Sequence, residues 1–259
     1  MKQQYKRILY TSAPGFRIVD ILSYEVRPDG TCRLEVILER DEPEPKIEDS
    51  HLFKLVDPKA IKIEEYFRNY EPRSFYSKAF KDNLMRALEN NVDKFYCPIY
   101  APSAAGDKIC FVKDANPAVG QTFNWWLNAA KNYNPDHRSR IGTKNEYVLY
   151  LAFIINQLIE SGWDVDRAWS VVCNDSKEIG NFLTRGPMME KTGSHEVVGF
   201  YDLGNVCRIV LTDKDAGYCW IAGGSYKTAS FINPLANLDY YRINSLPFED
   251  AVGWVIYDA

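Results

Sequence analysis

Nine consecutive residues, Tyr147 to Ile155 (YVLYLAFII), form the longest uninterrupted apolar run in the chain. Helix signals stand at both ends of the surrounding segment. Thr143 and Glu146 have the T-x-x-E spacing of a capping box, and Gly162 follows the last periodic residue. A helix that is apolar on every side has no face to give to water, so the rest of the fold is expected to enclose it. The run is far shorter than the ~20 residues that cross a bilayer. No membrane contact is expected.

The flanking sequence changes texture on either side of this helix. The first 40 residues read as β: "YEVRPDGTCRLEVILER" has a Pro-Asp-Gly turn at 28–30, then alternation. Cys32, Leu34, Val36 and Leu38 fall on one face, Arg33, Glu35 and Glu39 on the other, and Ile37 breaks the pattern. The acidic stretch 41–50, with two prolines, reads as an exposed connector. Helical spacing runs from about 57 to 91, where Tyr76, Phe80, Leu84 and Leu88 recur every four residues. Residues 94–114 suggest two short strands, the first held at a sheet edge by Pro98. Thr122 and Asp164 are placed to cap two further helices, and short strands return from about 196.

These signals together predict an α+β fold: a helical centre flanked by an N-terminal β-hairpin unit and a C-terminal antiparallel β-region. The expected divisions are 1–50 (hairpin unit and acidic linker), 51–190 (mainly helical) and 191–259 (β-region packed on the helical domain).

Bulk properties exclude some functions. A chain of 259 residues that is 46% hydrophobic and 25% charged is neither disordered nor too small for a core. A net charge of −4 argues against coating nucleic acid with the whole surface, though a local patch stays open. The opening residues, MKQQYKRILYTSAPG, lack the apolar stretch of a secretory signal, so the six cysteines are expected reduced and the location cytoplasmic. His51, His137 and His195 have no metal-ligand spacing, and no Walker loop, G-x-S-x-G or G-x-G-x-x-G occurs. No metal or cofactor is expected.

Three places invite a chemical reading. In "AWSVVCNDSKEIGNF" (168–182), Cys173, Asp175 and Ser176 lie within four positions. Helical steps of ~100° put Cys173 and Ser176 on a packed stripe with Ala168, Trp169 and Val172, while Asp175 turns away beside Val171. Mid-helix and without a base, Cys173 reads as a core thiol. The alternative is a hydrolase in which His195 meets Cys173 or Cys219 across the fold. The stretch 124–144 gathers Trp125, Trp126, Lys131, Tyr133, His137, Arg138, Arg140 and Lys144, the mixture of aromatics and cations that suits a phosphate backbone or unstacked bases. Its Trp125, Trp126, Arg138 and Arg140 are candidate contacts, against the plainer reading that the tryptophans cover the apolar helix. The C-terminal region offers Tyr226, Tyr240, Tyr241 and Arg242 as contacts for protein or sugar.

The function expected from this balance is that of a non-catalytic binding or assembly protein, a role that would suit an accessory protein of a phage or mobile element. Its partner is expected to be another protein, with a local anionic or nucleic-acid contact through 124–144 and homo-oligomers also open.

Overall fold

The capping box at 143–146 is formed in a computed structural model of the chain. The Thr143 hydroxyl accepts from the Glu146 amide, and the Glu146 carboxylate accepts from the Thr143 amide at 2.7 Å, opening helix α3 (Lys144–Glu160). The helix stops where Gly162 takes a φ of +98°, a conformation open to glycine. Along the apolar run every residue is buried except Phe153, which is half-buried, as all-round hydrophobicity demands. The structure describes residues 4–9, 16–26, 32–40, 50–106, 108–134, 138–182, 188–212 and 217–259, and the chain divides into two units, Met1–Glu48 and Asp49–Ala259.

The first unit is a three-stranded antiparallel sheet of β1 (Gln4–Leu9), β2 (Phe16–Val26) and β3 (Cys32–Arg40), in the order β1-β3-β2. Its register largely aligns like with like: Tyr5, Leu9, Ile18, Ile21 and Tyr24 stand opposite Leu34, Val36 and Leu38, and Lys6, Arg17 and Glu25 opposite Ile37, Glu39 and Arg33, while Arg7 opposite Val36 and Ile8 opposite Glu35 break the pattern on β1. Register shifts between Ile18 and Asp20 and between Ile21 and Ser23 keep this sorting along the eleven residues of β2. Val36 is fully buried, in keeping with the alternation. The turn at 28–30 and the connector at 41–49 lie outside the described residues.

The second unit holds the main core. Helices α1 (Phe75–Glu89), α3 and α4 (Val165–Cys173) pack together through Phe80, Leu84, Leu149, Ile155 and Trp169. Ser74, Thr122 and Asp164 each accept an amide hydrogen at the start of α1, α2 (Phe123–Tyr133) and α4. The region before α1 is not one long helix: short 3-10 and π turns occupy 58–60 and 64–68.

Two four-stranded sheets flank these helices. One orders β4 (Phe53–Val56), β5 (Phe95–Pro98), β15 (Val255–Asp258) and β8 (Arg140–Ile141). Here β5 is an inner strand rather than the edge that Pro98 suggested. Its pairing with β15 covers Phe95 and Tyr96 alone, so Pro98 lies beyond that ladder and no bond to β15 requires its missing amide hydrogen. A separate hairpin of β6 (Ser103–Ala105) and β7 (Lys108–Cys110) follows. The other sheet orders β13 (Leu238–Arg242), β12 (Tyr218–Ala222), β11 (Cys207–Leu211) and β14 (Ala251–Gly253). Its first three strands are antiparallel, and β14 runs parallel to β11. From β14 the chain passes through Trp254 directly into β15 of the first sheet. The Trp254 amide donates to Ile209 and its carbonyl accepts from Gly142, which ties the two sheets together. A small pair, β9 (Glu196–Val197) and β10 (Phe200–Tyr201), precedes β11. The architecture is α+β, and no helix among the described residues is long and apolar enough to cross a membrane.

Candidate binding surface

Cys173 is fully buried and is the last residue of α4, not a mid-helix position. The ladder ends there because Asp175 caps a new 3-10 turn, accepting from the Lys177 amide, and also receives the Ser230 hydroxyl. Burial pushes the Cys173 thiol well above its ordinary range, with the Ser77 hydroxyl opposing weakly. A helix C-terminus further disfavours a thiolate. Ser176, equally buried, accepts from the Leu235 amide at 3.0 Å and is a structural bolt. Val171, expected on the outer side with Asp175, is buried as well, since α4 is covered from more than one direction.

The other members of the catalytic alternative lie in different settings. Cys219 is buried within β12, opposite Leu211 and Tyr241, and burial pushes its thiol up to about 12. A ring nitrogen of His195 lies 3.4 Å from the Glu178 carbonyl oxygen. No group of three metal-ligating side chains occurs among the described residues.

The stretch 124–144 separates on folding. Trp126 is fully buried at the contact with β14, where Gly253 leaves room for its ring, and Trp125 packs edge-on against it at 4.9 Å. Arg140 makes a tie within the protein. Its guanidinium donates to both carboxylate oxygens of buried Glu146, at 2.9 and 2.5 Å, and to Asp258 at 3.0 and 2.7 Å. That fork links β8, the first turn of α3 and β15. Arg138 is exposed, with φ of +52°. His137 lies outside the described residues.

Lys144 joins a different group. Its ammonium sits 4.8 Å from the centre of the Trp220 ring on β12. Trp220 faces Tyr240 across the strands, with ring centres 4.8 Å apart, and Tyr240 stacks on Tyr218 at 4.7 Å with the planes 6° from parallel. Arg242 faces Tyr218 in the same register, so Lys144, Trp220, Tyr240, Tyr218 and Arg242 belong to one side of the sheet. Tyr241 falls on the other side, against Phe248 at 5.3 Å, and its hydroxyl accepts from Asn244. Tyr226 is half-buried, with the Lys227 ammonium 5.8 Å from its ring centre.

Among the described residues strand β13 ends the sheet, and Asp239, Tyr240, Tyr241 and Arg242 are all exposed, Tyr240 to 51%. The structure therefore brings three of the four C-terminal candidates onto one edge strand. It adds Tyr218, Trp220 and Lys144 behind them, which the sequence reading did not single out as contacts. The alternation of "YCWIA" held the signal for Tyr218 and Trp220 sharing a face, but their alignment with 238–242 depends on a register set across the fifteen residues between the two strands.

No family model matches the chain, and no curated protein matches it. Among solved structures it is similar to that of PvdO from Pseudomonas aeruginosa, with 14% identity and a TM-score of 0.42 over 64% of this chain and 81% of that one. A likeness at that level carries no inference about activity.

Proposed function

We propose that the protein is a non-catalytic binding or assembly protein whose working surface is the β13 edge. Tyr240, Tyr241 and Arg242 make the contacts, and Tyr218, Trp220 and Lys144 hold them in place. The observation that carries the reading is an edge strand with four consecutive exposed residues, among them two tyrosines and an arginine. Tyrosine and arginine are enriched where proteins meet, and a strand edge accepts another strand through its main chain. The stacked ring row lowers the ordering cost of binding, because Tyr218, Tyr240 and Trp220 already brace one another. Cys97, Cys110, Cys173, Cys207 and Cys219 are free thiols, which supports a reducing compartment such as the cytoplasm. The hydrolase alternative would need a reactive thiol, and Cys173 and Cys219 are both buried with raised thiols.

The test is site-specific photo-cross-linking in the cells of origin. Benzoylphenylalanine at position 240 should give a discrete protein adduct, and the same probe at the exposed Lys78 position on α1 should not. Equal adducts from both positions, or none from 240, would remove the reading.

A further inference from the structure

Two arginines of the second unit are satisfied very differently. Arg140 gives four hydrogen bonds to the carboxylates of Glu146 and Asp258. Arg208 has no comparable partner. It lies on the inner strand β11, opposite Ala222 of β12 and Val252 of β14, both fully buried. Val210 and Trp220 share its side of the sheet, and Lys144, the first residue of α3, sits over the Trp220 ring. Arg208 therefore belongs to the side that packs on α3.

The half-buried Arg208 makes one long hydrogen bond, 3.4 Å from Nη2 to the Asp202 carbonyl oxygen. Its Nη1 is sealed from solvent and has no acceptor. The Asp202 carboxylate accepts instead from the Ala101 and Gly193 amides, at 2.9 and 2.8 Å. A guanidinium carries five N–H donors and keeps its charge, so desolvating them without an acceptor is costly. Two tyrosines of α3 feel that charge. Burial raises the phenols of Tyr147 and Tyr150, and Arg208 opposes the rise at both. The Tyr147 hydroxyl is spent on the Leu235 carbonyl at 3.1 Å. Among the described residues the Tyr150 hydroxyl has no hydrogen-bond partner.

We infer that Arg208, with the Tyr150 hydroxyl, is a binding site for a small carboxylic acid in its ionised form. The guanidinium fork matches the two oxygens of a carboxylate. A carboxylate is an acceptor only, so it satisfies both Arg208 and Tyr150 and brings no donor of its own to bury. Solvent reaches one side of the half-buried side chain, and a small turn of the guanidinium brings Nη1 to the second oxygen. The close neighbours Ala222, Val252 and Tyr147 are all buried, which restricts the ligand to an acid about the size of acetate. At Arg140 the chain supplies the carboxylates itself; at Arg208 the ligand does.

The folded full chain, titrated with sodium acetate in chloride buffer, tests this. The Nε–H nuclear magnetic resonance signal of Arg208, identified by its loss in Arg208→Lys or Arg208→Gln, should shift and saturate, with a Kd on the order of 0.1–10 mM. Chloride at equal ionic strength should give no saturable shift. Inorganic phosphate, larger and tetrahedral, should bind at least tenfold more weakly. Acetate above its Kd should raise the melting temperature of the wild type and not that of Arg208→Lys, which keeps the charge and loses the fork. Tyr150→Phe should weaken acetate several-fold, the effect of one hydrogen bond. No saturable shift up to ~100 mM acetate, the outcome if a buried water alone fills the site, would overturn the inference. So would an equal rise in melting temperature for Arg208→Lys, or phosphate binding more tightly than acetate. The β13 reading is decided separately, by the cross-linking at position 240.

Discussion

At Cys173, Cys207 and Cys219 the sulfur is buried, and burial favours the neutral thiol over the thiolate. With the Cys207 and Cys219 thiols pushed up to about 12 by burial, they stay neutral at pH 8, where about a quarter of an unperturbed thiol is ionised. Thiol titration with a disulfide reagent at pH 8 should find these three at least tenfold slower in the folded protein than after denaturation. The linkage has a definite sign. Above about pH 8.5 the unfolded chain releases those protons while the folded chain keeps them, so their contribution to stability declines as pH rises further. That Cys173 is a core thiol was legible from its stripe of apolar neighbours. Its place at the helix end was not, because the stop depends on Asp175 finding the Ser230 hydroxyl fifty-five residues away. The same limit applies to Arg140: its cationic character is plain in the sequence, but its partners Glu146 and Asp258 are not.

Among the elements, the helices were the most readable, because their signals are local. Thr122, Thr143 and Asp164 each cap the helix that the spacing predicts, since a cap needs only the next three residues. Strand neighbours were less so. Pro98 suggested an edge, yet β5 is an inner strand, because the ladder to β15 stops short of the proline. Packing between elements is less readable again. Gly253 in β14 allows α2 to approach: a Cβ there would lie 2.6 Å from the Trp126 ring and 2.7 Å from the Ile141 side chain. Both neighbours belong to the packed interior, so the added methyl cannot be accommodated by a swing into solvent. Gly253→Ala should destabilise the protein by about 1–3 kcal/mol in urea unfolding, the usual scale of overpacking. Little loss would mean that α2 shifts freely on the sheet.

For the whole molecule, the main core cluster among the described residues is drawn from positions beyond 55, all within Asp49–Ala259. A unit of that size with its own core meets the description of an independent domain. The fragment 49–259 should therefore unfold in a single cooperative transition with a melting temperature within a few degrees of the full chain, as read by circular dichroism. A broad, non-cooperative melt would show that the first 48 residues are required to complete the fold. What the chain determined by itself is what short-range physics controls: the enclosed helix at 144–160, the caps, the alternation of β3 and the buried thiol at 173. The tertiary structure alone decided the pairing of β12 with β13, the parallel return of β14 beside β11 and the crossing at Trp254 into the other sheet. Those contacts join residues far apart in sequence, where many registers satisfy the same local preferences and one is selected by the packing of the whole core.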